Sequence, residues 1–236
     1  MTPEKRVVMF GSLPPLRGIS SYCLELARAV SRLAQVTFVT FRAIYPRVLY
    51  PGGDPEDPSY PLPEREDFEI RRSLTWYNPL GWLREALRVR ADVAHVQHWS
   101  LPLVPAWIVI LTTLRLRGIP TVLTIHNIAS HERSLLFPAA TRLLGRLANR
   151  CIVHCELNRQ QAHEALNLPL EKIHTTGMGL LAAGRNRPAD PAAARRKLGL
   201  PPEAPVILCF GAIRPYKGIG TLIEAFASVA ERLPEA

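Results

Sequence analysis

The chain has 236 residues, 47% of them hydrophobic, enough for one large or two small domains with a buried core. Its 14 glycines and 22 prolines are scattered as turn punctuation, which excludes a low-complexity or repeat architecture. The net charge of +9 is uneven: residues 54–69 hold seven acids and one base, a net of −6, which leaves +15 for the remainder and suits an anionic partner. Strand-like and helix-like stretches then alternate. Residues 7–10 read as a strand, 19–33 as a helix and 36–41 as a second strand. An acidic, Pro/Gly-rich loop covers 45–67, and 68–72 follows as a strand. Next come a helix over 79–89, a strand over 93–97, a long apolar helix over 102–117 and a buried-type strand over 121–125. A helix over 135–148, a strand over 151–153, a helix over 159–166 and a short strand over 172–175 complete the series.

Such alternation with short connections predicts an α/β fold, a parallel sheet covered by helices on both faces, with 7–10, 93–97 and 121–125 central. Residues 177–204 differ. They read as a linker carrying a short helix, with Asp190 as N-cap, Pro191 at the first position and Gly199 past the end. A new strand is expected over 205–210 and an amphipathic helix after Gly218. The chain therefore divides into a domain over 1–176, a linker over 177–204, and over 205–236 the first strand–helix unit of a second Rossmann-like domain. One strand and one helix cannot bury their apolar faces alone, so a truncated second domain is expected.

Arg214 and Lys217 fall in the strand-to-helix loop, just before a helix N-terminus. Two fixed cations beside free backbone N–H groups and a positive dipole end are what a diphosphate needs. Gly211 and Gly218 fit as residues that let backbone approach phosphate closely. The plain alternative is a pair of solvated loop charges. Gly18, Ile19 and Ser20 open the first helix, a second anion-ready terminus. His126 follows the buried strand 121–125, at the sheet edge where open α/β folds bind ligands; the alternative is a neutral structural histidine. His95 and His98 read as structural. Arg142, Arg146 and Arg150 recur every four residues beside an apolar stripe, either a contact for an anionic membrane surface or a solvated helix face.

Several signals are negative. The four cysteines, Cys23, Cys151, Cys155 and Cys209, read as buried reduced thiols, and no metal-ligand cluster is seen. The tryptophans are scattered, so nucleic acid is not an expected partner. The longest apolar run, 101–114, is shorter than the ~20 residues that span a bilayer. The start lacks a signal peptide's apolar region, and a cytoplasmic chain is expected.

Four stretches resemble the retaining, nucleotide-sugar-dependent glycosyltransferases of family 4, whose GT-B architecture pairs two Rossmann-like domains across a cleft. Pro14-Pro15-Leu16-Arg17-Gly18-Ile19-Ser20 is similar to the family's glycine-rich acceptor loop, with Arg17 where a second glycine is usual. Asp92-Val93-Ala94-His95-Val96-Gln97-His98 and Thr124-Ile125-His126-Asn127 are similar to its two histidine-bearing strand ends. Phe210-Gly211-Ala212-Ile213-Arg214-Pro215-Tyr216-Lys217-Gly218, read on to Phe226, is similar to the opening of its donor domain. The resemblance implies that Arg214 and Lys217 bind the donor diphosphate without a metal cofactor, and that Gly18, Ile19 and Ser20 face an acceptor. It also places His126 near the reacting sugar. The family's two donor-binding glutamates, eight positions apart, have no match. The expected partners are a nucleotide-sugar and a saccharide or lipid-linked acceptor, with peripheral membrane contact through Arg142, Arg146 and Arg150. The competing expectation is a non-catalytic, glycan-binding module.

Overall fold

A computed structural model describes residues 5–45, 54–62, 65–128, 136–179, 190–209 and 217–232. The chain divides into two compact units, Met1–Ala183 and Gly184–Ala236.

Among the described residues the first unit holds seven strands: β1 (Arg6–Gly11), β2 (Gln35–Ala43), β3 (Glu69–Thr75), β4 (Val93–His98), β5 (Thr121–Ile125), β6 (Arg150–Val153) and β7 (Ile173–Thr175). They form one sheet in the order β3-β2-β1-β4-β5-β6-β7, with every neighbouring pair parallel. The three strands expected at the centre, β1, β4 and β5, are central. Their apolar runs are buried on both faces: Met9, Phe10, Ala94, Val96 and Leu123 are sealed from solvent. Among the described residues five α-helices cover the sheet: α1 (Ser20–Ser31), α2 (Pro79–Arg88), α3 (Val104–Leu116), α4 (Leu136–Leu147) and α5 (Glu156–Leu166). Cys23, Leu24 and Ala27 of α1 pack with Met9, Val36 and Phe38. Trp107, Ile110, Leu111 and Leu114, one stripe of α3, pack with Phe10, Val39 and Leu123 in the larger core. Each such buried side chain contributes about 1.5–3 kcal/mol.

Strand order reverses between β1 and β4: from β1 the chain goes one way to β2 and β3, then returns past β1 to β4 and onward. That reversal opens a crevice at the carboxyl ends of β1 and β4, because the connections leave toward opposite sides.

Some boundaries differ from expectation. The long helix expected over 102–117 begins as a 3₁₀ turn, Leu101–Leu103, because Pro102 and Pro105 both fall where a first helical turn tolerates missing N–H groups. The helix expected from 159 starts at Glu156, since Cys155 caps it: its Sγ accepts from Asn158 N at 3.4 Å. Cys23 and Cys151 are buried thiols as expected, but Cys155, at that cap, and Cys209 are exposed.

The second unit contains α6 (Pro191–Leu198) and α7 (Ile219–Arg232). α6 is bounded as its sequence spells: Asp190 Oδ1 accepts from Ala192 N at 2.9 Å, and Gly199 ends it at φ 67°. The strand expected over 205–210 is absent from residues 205–209, and Val206, Ile207 and Leu208 are 48%, 61% and 80% exposed. A strand exists only where a neighbour takes its N–H and C=O groups, and the described residues of this unit include no second strand. Phe210 lies outside the described residues.

Candidate functional site

After β1 the chain enters the crevice through residues 12–19. Leu13 N donates to Thr40 Oγ1 at 3.2 Å, and the Pro14–Pro15 peptide is cis. Residues 55–57 then pin the loop from outside: Arg17 N donates to Pro55 O at 2.8 Å, Asp57 N to Pro15 O at 2.7 Å and Arg17 Nε to Glu56 O at 3.1 Å. Gly18 turns the chain into α1 at φ 96°, a conformation that side chains other than glycine's rarely adopt. A Cβ there would point toward Trp99 Nε1, 3.8 Å away, so the turn faces the residue that follows β4.

The start of α1 is chemically open. Its N-cap, Ile19, has no side chain to accept a hydrogen bond, and no acid lies in the first turn. The hydroxyls of Ser12 and Ser20 are buried without a partner. Unsatisfied N–H groups, two orphaned hydroxyls and the positive end of the helix dipole make this a place for an anionic or hydroxyl-bearing ligand. Earlier in the same loop Leu13–Leu16 line a cavity of about 240 Å³ together with Phe41, Arg42, Glu56 and Arg72. Arg72 reaches under the loop to donate to Pro14 O at 3.2 Å.

On the other side of the crevice lies a cluster of histidines. His126, directly after β5, shares the carboxyl edge with Gly18, which follows β1 in the same parallel sheet. Both of its ring nitrogens are engaged: Nε2 lies 2.9 Å from Gln97 Oε1 and Nδ1 3.2 Å from His154 Nε2. Gln97 Nε2 continues to His95 Nε2 at 3.1 Å, and His95 Nε2 to Thr124 Oγ1 at 2.7 Å. At the outer end His154 Nδ1 faces Thr176 O at 3.4 Å. Tyr22, in the first turn of α1, sets its ring edge-on to His126 and to His154, with centroids 4.8 and 5.2 Å apart. The loop after β1 and the histidines are thus one packed arrangement. Gly11 permits it, since a Cβ there would lie 3.1 Å from Gln97 Cγ and 3.2 Å from Cys23 Sγ and Phe38 Cζ.

Burial sets the protonation. His126 is pushed down to about 3, by desolvation first and then by His154, His98 and His95. His95 and His98 are pushed down to about 4 by desolvation. Burial drives the Tyr22 phenol up to about 12. At neutral pH all three imidazoles are uncharged, so they accept or donate hydrogen bonds rather than supply a cation. His98 stands apart: it bonds Thr141 Oγ1 at 3.0 Å, stacks on Phe137 and serves packing. Among the described residues no group of three or more His, Cys, Asp or Glu side chains is arranged to hold a metal ion.

The other expected site residues lie elsewhere. Lys217 and Gly218 directly precede α7, Gly218 at φ 66°, and no acid occupies the first turn of that helix. Gly211 and Arg214 lie outside the described residues. Arg142 and Arg150 are tied to backbone, donating to Ala165 O at 3.3 Å and Asn149 O at 3.1 Å. Arg146, in the last turn of α4, and Arg150, at the start of β6, lie toward the amino edge of the sheet, away from the crevice. No helix among the described residues is long and apolar enough to cross a membrane.

Tyr22, Gln97 and His154 were not foreseen as members of the site. One signal was available: His126 and His154 each stand one residue past a predicted strand, on what prove to be neighbouring strands.

The chain is similar to known proteins over most of its length. Residues 17–179 match the family model described as a glycosyl transferase 4-like domain. The D-inositol 3-phosphate glycosyltransferase of Thermobispora bispora is 30% identical over 156 residues, 62% of this chain and 35% of that protein. D-inositol 3-phosphate glycosyltransferase 2 of Catenulispora acidiphila is 30% identical over 128 residues, 50% of this chain and 30% of that protein. The chain thus spans about a third of the length of these relatives. Two solved structures share the fold. Anabaena Alr3699/HepE in complex with UDP has a TM-score of 0.62 at 17% identity, covering 95% of this chain and 57% of that one. A glycosyltransferase from Rickettsia africae ESF-5 has a TM-score of 0.64 at 13% identity, covering 97% and 58%. With the family model matched over residues 17–179, from the loop after β1 to just past β7, the chain belongs to the glycosyl transferase 4-like domain family.

Proposed function

We propose that this chain supplies the acceptor side of a nucleotide-sugar-dependent glycosyltransferase that moves a sugar, with retention, onto a saccharide or lipid-linked acceptor. The observation that carries the reading is the convergence, at the β1/β4 reversal, of the open N-terminus of α1 with its orphaned Ser12 and Ser20 hydroxyls and the neutral histidine cluster. Gly18, Ile19 and Ser20 would meet the acceptor. Arg42 and Arg72 give the adjoining cavity a preference for anionic groups, in keeping with relatives named for D-inositol 3-phosphate. His126, uncharged and held on both nitrogens, orients hydroxyl-bearing ligands through its surroundings rather than by transferring protons.

The donor side belongs to the second domain. There Arg214 and Lys217, with Gly211 and Gly218 admitting backbone N–H groups, would stabilise the departing diphosphate without a metal cofactor, each contact contributing about 3 kcal/mol. In this reading transfer needs a complete second domain of the kind the relatives' length allows. A peripheral membrane contact through Arg142, Arg146 and Arg150 is not required by it.

Titration of the purified chain with D-inositol 3-phosphate, followed by calorimetry, tests the acceptor side. Saturable binding that Arg72→Ala weakens at least about tenfold is expected, the scale of one charge-assisted contact. No binding, or binding indifferent to Arg72, removes the anionic acceptor. Steady acceptor-dependent sugar transfer by the chain alone would overturn the division of labour between domains.

A further inference from the structure

The hydrogen-bond chain from Thr176 to Thr124 has a direction, and that direction decides where His126 keeps its proton. The carbonyl of Thr176 only accepts, so the nitrogen facing it at 3.4 Å, His154 Nδ1, carries a proton. In a neutral His154 the other nitrogen, Nε2, is then bare. The proton shared across the 3.2 Å between the two rings therefore sits on His126 Nδ1. His126 Nε2 is left bare in turn and needs a donor from Gln97, 2.9 Å away. The Gln97 amide supplies one by a half-turn that directs its NH₂ to His126 and its oxygen to His95, with the heavy atoms almost unmoved. With the Gln97 oxygen toward His126, the opposite sense, His154 must carry both protons and a charge to satisfy the same carbonyl. In either sense the state of His154 dictates the state of His126.

We propose that His154 is a positioning residue for His126: anchored by the Thr176 carbonyl, it fixes which nitrogen of His126 carries the proton and, through Gln97, aligns His95 and Thr124 behind it. Tyr22 holds both rings in place edge-on, from the helix whose N-terminus is open to ligand. The consequence for sugar transfer rests on the function proposed above, whereas the arrangement itself does not.

The test reads the tautomer directly. The full chain, isotope-labelled in its histidine nitrogens, is examined by NMR in mildly alkaline buffer, where imidazoles are neutral. His126 should occupy one tautomer, protonated at Nδ1. His154→Gln should keep it, because the new amide can accept from His126 and donate to Thr176. His154→Leu can do neither; the Gln97 amide is then free to turn, and His126 should shift to the Nε2-protonated form or a mixture. A wild-type proton on Nε2 overturns the proposal. So does a His154→Leu chain that keeps the wild-type tautomer while its sheet amide resonances are unchanged. Should His154→Leu fail to fold, the wild type and His154→Gln still decide, since loss of the Nδ1 tautomer in a folded His154→Gln chain counts against the proposal. No sugar enters the measurement, so failure to bind an acceptor leaves it standing, and failure here leaves the glycosyltransferase reading intact.

Discussion

His95, His98 and His126 are held as neutral imidazoles by the sheet that buries them, at about 4, 4 and 3 against an ordinary value near 6.5. The unfolded chain takes up protons at these positions below about pH 6.5, and the folded chain does not until about pH 4. Unfolding therefore becomes more favourable as pH falls through that window, by up to roughly 1.4 kcal/mol per pH unit for each histidine. Glu69, held below the usual carboxylate range by its hydrogen bond to Arg71, acts in the same direction only further down. Urea denaturation from about pH 7 to about pH 4.5 should show the midpoint falling steeply. A level midpoint would mean that the folded state accepts these protons and that the cluster is wetter than its packing indicates. At this scale the sequence was half legible. His126 could be placed because an apolar strand pattern ends just before it. Its partners could not, because Gln97 and His154 reach it across β4 and β6, and inter-strand register is not written in local periodicity.

Among the elements, α3 shows how sequence pattern and burial agree. It is apolar nearly all round and buries seven of its 13 residues, as a helix must when other helices flank it over a sheet. Its Trp107 is sealed from solvent, packs edge-on to Phe41 with centroids 5.6 Å apart, and leaves its indole N–H without a partner. Trp107→Ala should cost about 3–5 kcal/mol. Trp107→Phe should cost far less, because it keeps most of the ring and removes a buried donor that nothing satisfies. Equal losses for the two variants in urea unfolding would show that the N–H has a partner after all. The central strands β1, β4 and β5 were legible because their apolar runs demand burial on both faces. Residues 205–209 carry a similar run and form no strand, since composition supplies the side chains of a strand but not the neighbour that completes its hydrogen bonds.

For the whole molecule, the two units differ in what they bury. Among the described residues, every buried residue of the hydrophobic core lies between Val8 and Ile173, within Met1–Ala183, and α6 and α7 bury none. The first unit therefore contains its own core, and the crevice at the β1/β4 reversal with it. The second presents apolar side chains to solvent: Leu222 and Ile223 of α7, together with the unpaired run Val206, Ile207 and Leu208. Such a surface seeks cover from a partner, another copy or an aggregate. A chain ending at residue 183 should thus unfold in one cooperative transition, with stability within about 1 kcal/mol of the full chain, the scale of substitutions that touch no core. It should also bind less hydrophobic dye and stay monomeric at concentrations where the full chain associates. Comparing the two by urea denaturation and light scattering tests both statements. If the shortened chain loses its transition, the first unit draws stability from residues 184–236 and is not self-sufficient. If it folds but associates as readily as the full chain, the sticky surface belongs to the first unit instead, where Leu33, Leu80 and Leu116 are the exposed apolar residues to replace next.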